Sequence, residues 1–452
     1  MGRLFGTNGV RGVANKDLTV DKVSRLAASV GSYLGREIAI GRDGRTTSPM
    51  FRDAAVSGLL SVGCRIHDMG MLPTPALQFS VRHFGLDGGL MVTASHNPPE
   101  FNGLKVMAGD GVEVSRKQEE EIEAVFFGAG PEVKPWNLVG TIGQQDVLEP
   151  YMDAVKSHVE VRSISEAGLK VAIDPGNGVA ALVAPVIARD LGCRVFTMNV
   201  DVDGRFPGRE SEPRPDNLDG LSALVGASEA DLGVAYDGDG DRSIFVDERG
   251  EVHWGDRTFA LVAKEFLAAN PGVEVVTPVS SSKVIEDVVT AGGGEVVWTM
   301  VGSVVVSRTM VERGIELGGE ENGGIMYGPH LEVRDGSMAL ALVLDVMAKT
   351  GKPLSELLGE LPQYSQLKDR VECPQELKGR VLERLRDSAD APKVETIDGV
   401  KLRFDDGSWI LVRPSGTEPV FRLYAEADSP KRVSDLVKDH KALIESVIGS
   451  LK

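Results

Sequence analysis

The chain has 452 residues, enough for about three domains at ~150 residues each, so a single core is not expected. Its 49 Lys and Arg residues against 67 Asp and Glu residues give a formal net charge of −18, which argues against a surface that binds nucleic acid or an anionic membrane. With 42% hydrophobic and 26% charged residues, the composition is typical of a folded globular protein and excludes a disordered chain.

The sequence also predicts where the protein resides. No apolar run approaches the ~18 residues that a membrane-spanning helix needs, and Pro185 interrupts one of the longest runs, 179–188. The first residues, M-G-R-L-F-G, lack the apolar stretch of a secretory signal. The three cysteines are far apart in the sequence and form no C-x-x-C pair, which is typical of proteins in a reducing compartment; they are Cys64, Cys193 and Cys373. We therefore expect a cytoplasmic protein that does not contact membranes.

A strand-and-helix pattern recurs along the chain. Apolar runs at 38–41, 171–174 and 273–276 are each followed by a helical segment. The first two helical segments, 54–67 and 184–196, run into the similar sequences G-C-R-I and G-C-R-V, and the third, 282–291, is followed by G-E-V-V. Strand, helix and strand in this order predict three βαβ units.

Each unit continues into another apolar run that ends in a polar loop. These runs lie at 90–92, 232–235 and 315–317, and the loops follow them at 93–98, 237–242 and 318–324. Open α/β sheets bind ligands at the carboxyl ends of their strands. The three loops are therefore candidates for one shared site.

The units divide the chain into predicted domains. Three α/β domains with mixed sheets are expected at 1–150, 151–253 and 254–366. The shorter segment 367–452 contains strand candidates at 400–404, 409–413 and 421–425 and a terminal helix at 430–451, which predicts a smaller α+β domain. No linker-like stretch separates the four parts, so we expect them to pack together around a common site.

The aspartate loop is the strongest metal signal. Asp237, Asp239 and Asp241 alternate with glycines, and three close carboxylates repel each other unless a hard divalent cation such as Mg²⁺ or Ca²⁺ lies between them. Glu248 falls at position 12 of an EF-hand count from Asp237, but position 6 is Arg242 where an EF-hand needs glycine. Arg242 is better suited to hold a phosphate on the same ion. A solvated acidic turn is the alternative interpretation of this loop.

The serine loop contains a candidate nucleophile. Ser95 follows an apolar strand and is adjacent to His96, yet the chain has no G-x-S-x-G elbow there, so a Ser/His hydrolase is disfavoured. Lys105 lies downstream and could act as an acid, a base or a phosphate partner. By its motif alone, Ser95 could equally be a capping serine.

Two further loops carry sugar- and phosphate-binding chemistry. Glu320 and Asn322 lie between glycines and could hold several hydroxyls, although a glycine-rich turn is the alternative. Arg413 begins the loop R-P-S-G-T-E-P, and Arg422 follows that loop. Guanidinium, hydroxyl and backbone N–H donors at this density favour a phosphate dianion over a plain surface turn.

Together these motifs resemble the α-D-phosphohexomutase superfamily over essentially the whole chain. The segments T-A-S-H-N-P-P-E-F-N-G-L-K, D-G-D-G-D-R and R-P-S-G-T-E-P carry the resemblance. The opening F-G-T-N-G-V-R-G is most similar to the phosphoglucosamine mutase branch, and G-G-E-E-N-G-G is similar to its archaeal members. The resemblance implies four domains around a central cleft, the first three of similar topology.

The resemblance also implies roles for individual residues. Ser95 would carry the phosphoryl group, with His96, Lys105 and Arg11 beside it. Ser95 and the three aspartates of the D-G-D-G-D-R loop would bind one Mg²⁺ per chain. The implied substrate-binding residues are Arg242, Glu320, Asn322, Arg413, Ser415, Gly416, Thr417 and Arg422.

The chain departs at two places from the family that it resembles. Many relatives have Ser-Gly-His where this chain has Asn322, Gly323 and Gly324, so a base often drawn from that histidine is absent, and His330 or Lys105 could substitute. Many relatives also carry Lys and Asp around the V-G pair where this chain has M-V-G-S at 300–303. The second departure leaves the identity of the sugar open.

The expected activity is interconversion of glucosamine 6-phosphate and glucosamine 1-phosphate through a phosphoserine and a sugar 1,6-bisphosphate, which would also serve as activator. A glucose or mannose phosphate mutase of the same superfamily is the nearest alternative. A metal-dependent phosphatase would instead discharge Ser95 to water, and a Ca²⁺-binding module would never phosphorylate it. The expected partner is a small hexose or hexosamine phosphate, and the sequence carries no signal for the oligomeric state.

Overall fold

The computed structural model describes residues 4–6, 8–387, 390–415 and 418–451. Four β-sheets follow one another along the chain, each built from one continuous stretch. Among the described residues, no helix has the length and apolar character needed to cross a membrane.

The first sheet has six strands in the order β1-β5-β4-β2-β3-β6. Its strands are β1 Val10–Val13, β2 Glu37–Arg42, β3 Arg65–Met71, β4 Gly88–Val92, β5 Phe101–Ala108 and β6 Thr141–Gln144. Its helices are α1 Val20–Leu34, α2 Ser48–Ser61, α3 Thr74–His83 and α4 Arg116–Phe127. β2 pairs in parallel with β3 and β4, and β4 pairs antiparallel with β5.

The second sheet repeats this plan with five strands in the order β11-β10-β9-β7-β8. Its strands are β7 Lys170–Asp174, β8 Arg194–Thr197, β9 Leu232–Tyr236, β10 Ser243–Asp247 and β11 Val252–His253. Its helices are α5 Leu148–Lys156, α6 Val161–Ala167, α7 Ala184–Asp190 and α8 Asp219–Ser228. β7 lies in parallel between β8 and β9, and β9 is antiparallel to β10.

The third sheet has the order β13-β12-β14-β15-β16. Its strands are β12 Glu274–Pro278, β13 Glu295–Thr299, β14 Leu317–Gly319, β15 Ile325–Tyr327 and β16 Leu331–Arg334. Its helices are α9 Gly255–Ala269, α10 Lys283–Ala291, α11 Ser303–Arg313, α12 Gly336–Thr350 and α13 Leu354–Gly359. Again one parallel strand, β12, lies between its two successors, so the predicted threefold repeat is confirmed.

The fourth sheet is wholly antiparallel, in the order β17-β21-β20-β19-β18. Its strands are β17 Ser365–Glu372, β18 Lys393–Glu395, β19 Val400–Arg403, β20 Trp409–Pro414 and β21 Val420–Ala427, and its helices are α14 Lys378–Asp387 and α15 Pro430–Leu451. The smaller C-terminal α+β unit is thereby confirmed. β17 begins two residues before the predicted start of the fourth domain at 367, and the four domain boundaries remain our proposal.

The predicted elements differ from the observed ones mainly in their bounds. The helix expected over 54–67 begins earlier, at Ser48, and ends at Ser61, because Pro49 fits the first turn of a helix and β3 takes over from Arg65. β17 and β18 were not predicted, because they are sheet-edge strands with mostly polar residues; in β17 only Val371 is buried.

The buried core joins the units rather than separating them. One apolar cluster contains residues of the first three units, including Leu77 of α3, Ile187 of α7 and Leu340 of α12. The fourth unit has its own cluster around Phe421 and Ile444. Shared packing fixes the first three units relative to one another, and the loops after β4, β9 and β14 are therefore held in register.

Candidate active site

The serine loop follows β4 and presents Ser95 to the second unit. Ser95 is fully buried, and its φ of +52° lies in the left-handed region that residues other than glycine rarely occupy. Its amide donates to Thr93 Oγ1 at 2.8 Å, and its hydroxyl donates to Asp237 Oδ2 at 2.9 Å. The surrounding bonds therefore hold a strained residue with its oxygen against the aspartate loop.

A buried arginine, Arg45, holds the backbone of the serine loop. Its guanidinium donates to the carbonyl oxygens of Ser95 at 2.8 Å, Asn97 at 2.6 Å, Pro98 at 2.6 Å and Phe101 at 3.0 Å. Its Nε pairs with Asp43 Oδ2 at 3.1 Å. This arginine fixes the position of Ser95 without contacting its side chain.

Replacing Arg45 with methionine is expected to lower the free energy of unfolding by about 3–5 kcal/mol, because it leaves the buried Asp43 carboxylate without its charged partner. Urea unfolding measures the change. Arg162→Met is the matched control, since Arg162 forms an exposed pair with Glu166 and its loss should cost at most about 1 kcal/mol. Equal effects of the two substitutions would contradict the role given to Arg45.

The aspartate loop lies between β9 and β10 and is packed against the serine loop. Asp237, Asp239 and Asp241 are all buried, and each offers an oxygen within 4.8 Å of the others. A side chain at Gly238 would place its Cβ 2.7 Å from the Ser95 carbonyl oxygen, which explains why the carboxylates alternate with glycine. Because strands flank this loop on both sides, it is not an EF-hand.

The free oxygens of this cluster fit a divalent cation. Among the described residues, Oδ1 of Asp239 and Oδ1 of Asp241 are buried and have no hydrogen-bond partner. Burial and the two neighbouring carboxylates raise the pKa of Asp237 well above its usual range. A cation held by these oxygens would stabilise the negative charge of Asp237, and an all-oxygen ligand set favours Mg²⁺ or Ca²⁺.

Cationic side chains surround the aspartates. Lys105 Nζ is 2.7 Å from Asp239 Oδ2 and 2.8 Å from Asp241 Oδ2. Burial opposes its charge, but the two aspartates raise the pKa of Lys105. Arg242 pairs with Glu212 at 3.0 Å, and Arg11 donates to Asn97 at 2.7 Å. Positive charge is thereby concentrated in a chain that is strongly acidic as a whole.

His96 contacts Ser95 but does not complete a hydrolase triad. Its Nδ1 is 3.3 Å from Ser95 Oγ, and its Nε2 is 4.0 Å from Glu212, beyond hydrogen-bond reach. Burial and the nearby charges of Arg242 and Arg11 hold the pKa of His96 well below its usual range. The imidazole beside the serine is therefore neutral.

The loop 318–324 after β14 contains Glu320 and Asn322 and is here called the sugar loop. It is tied to the aspartate loop by a residue that the sequence did not indicate. Arg334, at the end of β16, donates to Glu320 Oε2 at 3.1 Å and to Asp241 Oδ2 at 2.6 Å. Asn322 accepts from the Gly324 amide at 3.2 Å. Glu320 is thereby linked to the predicted metal ligands through a single buried guanidinium.

His330, one of the two substitute bases considered from the sequence, lies in an aromatic cluster. It stacks on Phe79 at 5.8 Å between ring centroids and packs near Tyr151 and His158, while its Nε2 is 3.4 Å from Asp335. None of these neighbours belongs to the serine or aspartate loop. The geometry thus does not support His330 as the base.

Of the remaining predicted residues, Arg413 lies in β20, Arg422 lies in β21, and Ser415 lies between the two strands in what is here called the C-terminal loop. Arg413 and Arg422 are paired across β20 and β21, Arg413 Nε is 2.9 Å from Asp398, and Arg422 is 2.7 Å from Glu418. Asp398, which lies between β18 and β19, also accepts from the Val301 amide at 3.1 Å, and this bond links the fourth unit to the third unit.

The loop backbone is held by a residue that was not predicted. Lys378 donates to the carbonyl oxygen of Ser415 at 2.7 Å and to that of Glu418 at 2.5 Å. Gly416 and Thr417, which the sequence placed among the phosphate ligands, lie outside the described residues.

Comparison with known proteins shows the family. Residues 2–131, 149–250 and 254–364 match phosphoglucomutase/phosphomannomutase alpha/beta/alpha domains I, II and III, and residues 370–442 match the C-terminal domain of the same family. A phosphoglucomutase/phosphomannomutase of Thermococcus kodakarensis is 40% identical over 99% of this chain and 100% of the relative. The chain belongs to the phosphoglucomutase/phosphomannomutase family. The superfamily and the four-unit fold expected from the motifs are confirmed.

Other relatives extend the comparison. A phosphoglucosamine/phosphogalactosamine mutase of Sulfurisphaera tokodaii is 41% identical over 98% of this chain and 100% of the relative. The crystal structure of a phosphoglucomutase/phosphomannomutase family protein from Burkholderia thailandensis has a TM-score of 0.89 at 29% identity, covering 98% of this chain and 97% of that one. The protein is an enzyme of the phosphohexomutase type, an isomerase that acts by intramolecular phosphoryl transfer.

Proposed function

We propose that this phosphohexomutase interconverts glucosamine 6-phosphate and glucosamine 1-phosphate and that Ser95 carries the transferred phosphoryl group. The observation that carries the proposal is the contact of Ser95 Oγ with Asp237 at 2.9 Å, beside two carboxylate oxygens without partners. When a buried hydroxyl beside such an acidic cluster is phosphorylated, a cation is needed to neutralise the added negative charge.

The aspartates Asp237, Asp239 and Asp241 would hold one Mg²⁺, which when bound neutralises charge on the phosphoryl group. Lys105 is already fixed against two of these aspartates. Arg11 and Arg242 lie within electrostatic range of the same cluster. Phosphoryl transfer needs mainly positioning and charge stabilisation, which these side chains supply.

In the transfer step, the free hydroxyl of the sugar phosphate attacks the phosphorus atom of phospho-Ser95. The bond from phosphorus to Ser95 Oγ breaks, and the hydroxyl proton ends on Ser95 Oγ, so the products are a sugar 1,6-bisphosphate and a serine hydroxyl. Asp237 Oδ2 accepts the hydrogen bond of that hydroxyl, as in the structure. Return of the other phosphate to Ser95 after the bisphosphate has turned over completes the isomerisation.

The C-terminal loop would hold the phosphate that does not react. Arg413, Ser415 and Arg422, together with Gly416 and Thr417, supply donors suited to a dianion. Glu320 and Asn322 would contact the sugar hydroxyls in both orientations. Hexose 1,6-bisphosphate would then activate the enzyme by phosphorylating Ser95, and the cytoplasmic location stays a prediction.

A glucose or mannose phosphate mutase is the second candidate, because the Thermococcus relative is named a phosphoglucomutase/phosphomannomutase. The Sulfurisphaera relative, named a phosphoglucosamine/phosphogalactosamine mutase, supports an amino sugar instead. Steady-state kcat/KM for glucosamine, glucose and mannose 6-phosphates decides between them. We expect glucosamine 6-phosphate to be preferred. A tenfold preference for glucose or mannose 6-phosphate would overturn the choice of sugar, and release of free phosphate in place of isomerisation would indicate a phosphatase.

A further inference from the structure

Arg334 connects two loops that the proposed function treats separately. The side chain is 5% exposed, and its two terminal nitrogens contact different acids, Nη1 with Glu320 and Nη2 with Asp241. A planar guanidinium suits this task, whereas an ammonium concentrates its donors at one point. The sugar loop and the aspartate loop thereby share one rigid cation.

The space for Arg334 comes from a glycine in the sugar loop. A Cβ atom at Gly324 would lie 2.3 Å from Arg334 Cδ and 2.8 Å from Arg334 Cγ, and its next neighbour is Asn322 Oδ1 at 3.3 Å. Gly324 is not among the glycines with positive φ, so its backbone would accept other residues. The arginine, rather than the backbone, is what requires glycine at position 324.

The backbone that carries Arg334 is firmly held. Residue 334 is paired with Met326 across β15 and β16, and the next residue, Asp335, caps α12 through the amides of Ser337 and Met338. The Asp335 carboxylate also accepts from Tyr151 at 2.8 Å. A guanidinium on a backbone that is held in this way can fix the orientation of its partner Glu320.

We infer that Arg334 is a positioning residue for sugar recognition: it holds Glu320 by one carboxylate oxygen so that the other oxygen can accept from sugar hydroxyls, and Gly324 is the residue that admits it. The inference rests on the proposed function, in which Glu320 contacts the sugar. Because Arg334 also holds Asp241, the sugar would be held at a constant distance from the proposed phosphoserine. Two substitutions disturb this arrangement independently. Arg334→Met removes the positive charge, whereas Gly324→Ala retains the charge but displaces the guanidinium from its position.

The test measures binding of the preferred hexose phosphate and of its 3-deoxy and 4-deoxy analogues by calorimetry, in a Ser95→Ala background that prevents turnover. A hydrogen bond to a charged group contributes about ten- to a hundredfold in affinity, so the unsubstituted sugar loop should disfavour at least one analogue by that factor. The Kd ratio is the Kd of that deoxy analogue divided by the Kd of the parent hexose phosphate. In Arg334→Met and in Gly324→Ala we expect this ratio to fall to within about threefold of unity. Thermal unfolding of each variant is measured alongside.

Arg257→Met is the matched control, because Arg257 is an arginine of the third unit that donates to the carbonyl oxygens of Leu358 and Pro362. It should reduce stability without changing the Kd ratio. If Arg334→Met and Gly324→Ala remain folded and keep the full ratio, Arg334 is only structural and the inference is wrong. If the protein with Ser95 intact isomerises no hexose phosphate, the proposed function fails instead, and the two failures are distinguishable.

Discussion

Replacing Ser95 with alanine is expected to lower the rate of hexose phosphate isomerisation by at least about a thousandfold, because in the proposed mechanism the phosphoryl group passes through Ser95 in every turnover. The fold should survive, since the Ser95 hydroxyl makes few contacts besides Asp237 and the loop is held by its backbone through Arg45. A coupled assay for the sugar 1-phosphate product measures the loss, and circular dichroism reports the fold.

The control for this substitution is Ser80→Ala. Ser80 is equally buried but lies in α3, where its hydroxyl donates to the Leu77 carbonyl oxygen. Its loss should leave the rate within a small factor of the original. Activity of the Ser95→Ala enzyme within about tenfold of the original would exclude a phosphoserine intermediate, since loss of an essential nucleophile costs far more.

Substituting Asp239 with asparagine is expected to weaken Mg²⁺ binding by at least about a hundredfold, with a similar loss of activity, because even residues outside the direct ligands contribute ten- to a hundredfold to metal affinity. The substitution removes charge from a carboxylate with an unpartnered buried oxygen. Calorimetric titration with Mg²⁺ gives the affinity directly, and activity is followed as a function of free Mg²⁺.

A second acidic cluster provides the control. Asp247, Glu251 and His253 in the β10–β11 hairpin also bring three possible ligand atoms within 4.8 Å. In this cluster, Asp247 is already engaged by the amides of Arg249 and Glu251 and by His253. Asp247→Asn should therefore leave the Mg²⁺ dependence unchanged. If Asp247→Asn rather than Asp239→Asn abolishes Mg²⁺ dependence, the aspartate loop is not the metal site.

The parts of the site that sequence reasoning found are local in the chain. Strands covered on both faces, such as β4 and β9, appear as continuous apolar runs, and the polar loops that follow them stand out for that reason. Asp237, Asp239 and Asp241 carry their own signal, because three adjacent carboxylates need positive charge close to them. The third unit was harder to place, since β14 has only three residues and two of them are glycine.

The parts that sequence reasoning missed depend on contacts between distant segments. Arg45 lies 50 residues from Ser95, and it acts through backbone carbonyl groups that carry no sequence signature. Arg334 contacts Asp241 across 93 residues, and only the structure shows that Gly324 makes room for it. Lys378 holds the C-terminal loop in the same way. Edge strands such as β17 escape detection because their residues face water on most sides.

The central claim is that Ser95 carries and transfers the phosphoryl group, and intact-mass spectrometry tests it most directly. The protein is incubated with Mg²⁺ and hexose 1,6-bisphosphate, freed of sugar and weighed, and then mixed with the hexose 6-phosphate. We expect the mass of one phosphoryl group to be gained in the first step, to be carried by the peptide containing Ser95 and to be lost in the second step, with no gain in Ser95→Ala. An unchanged mass after exposure to the bisphosphate, or a phosphoryl group on another residue, would contradict the account.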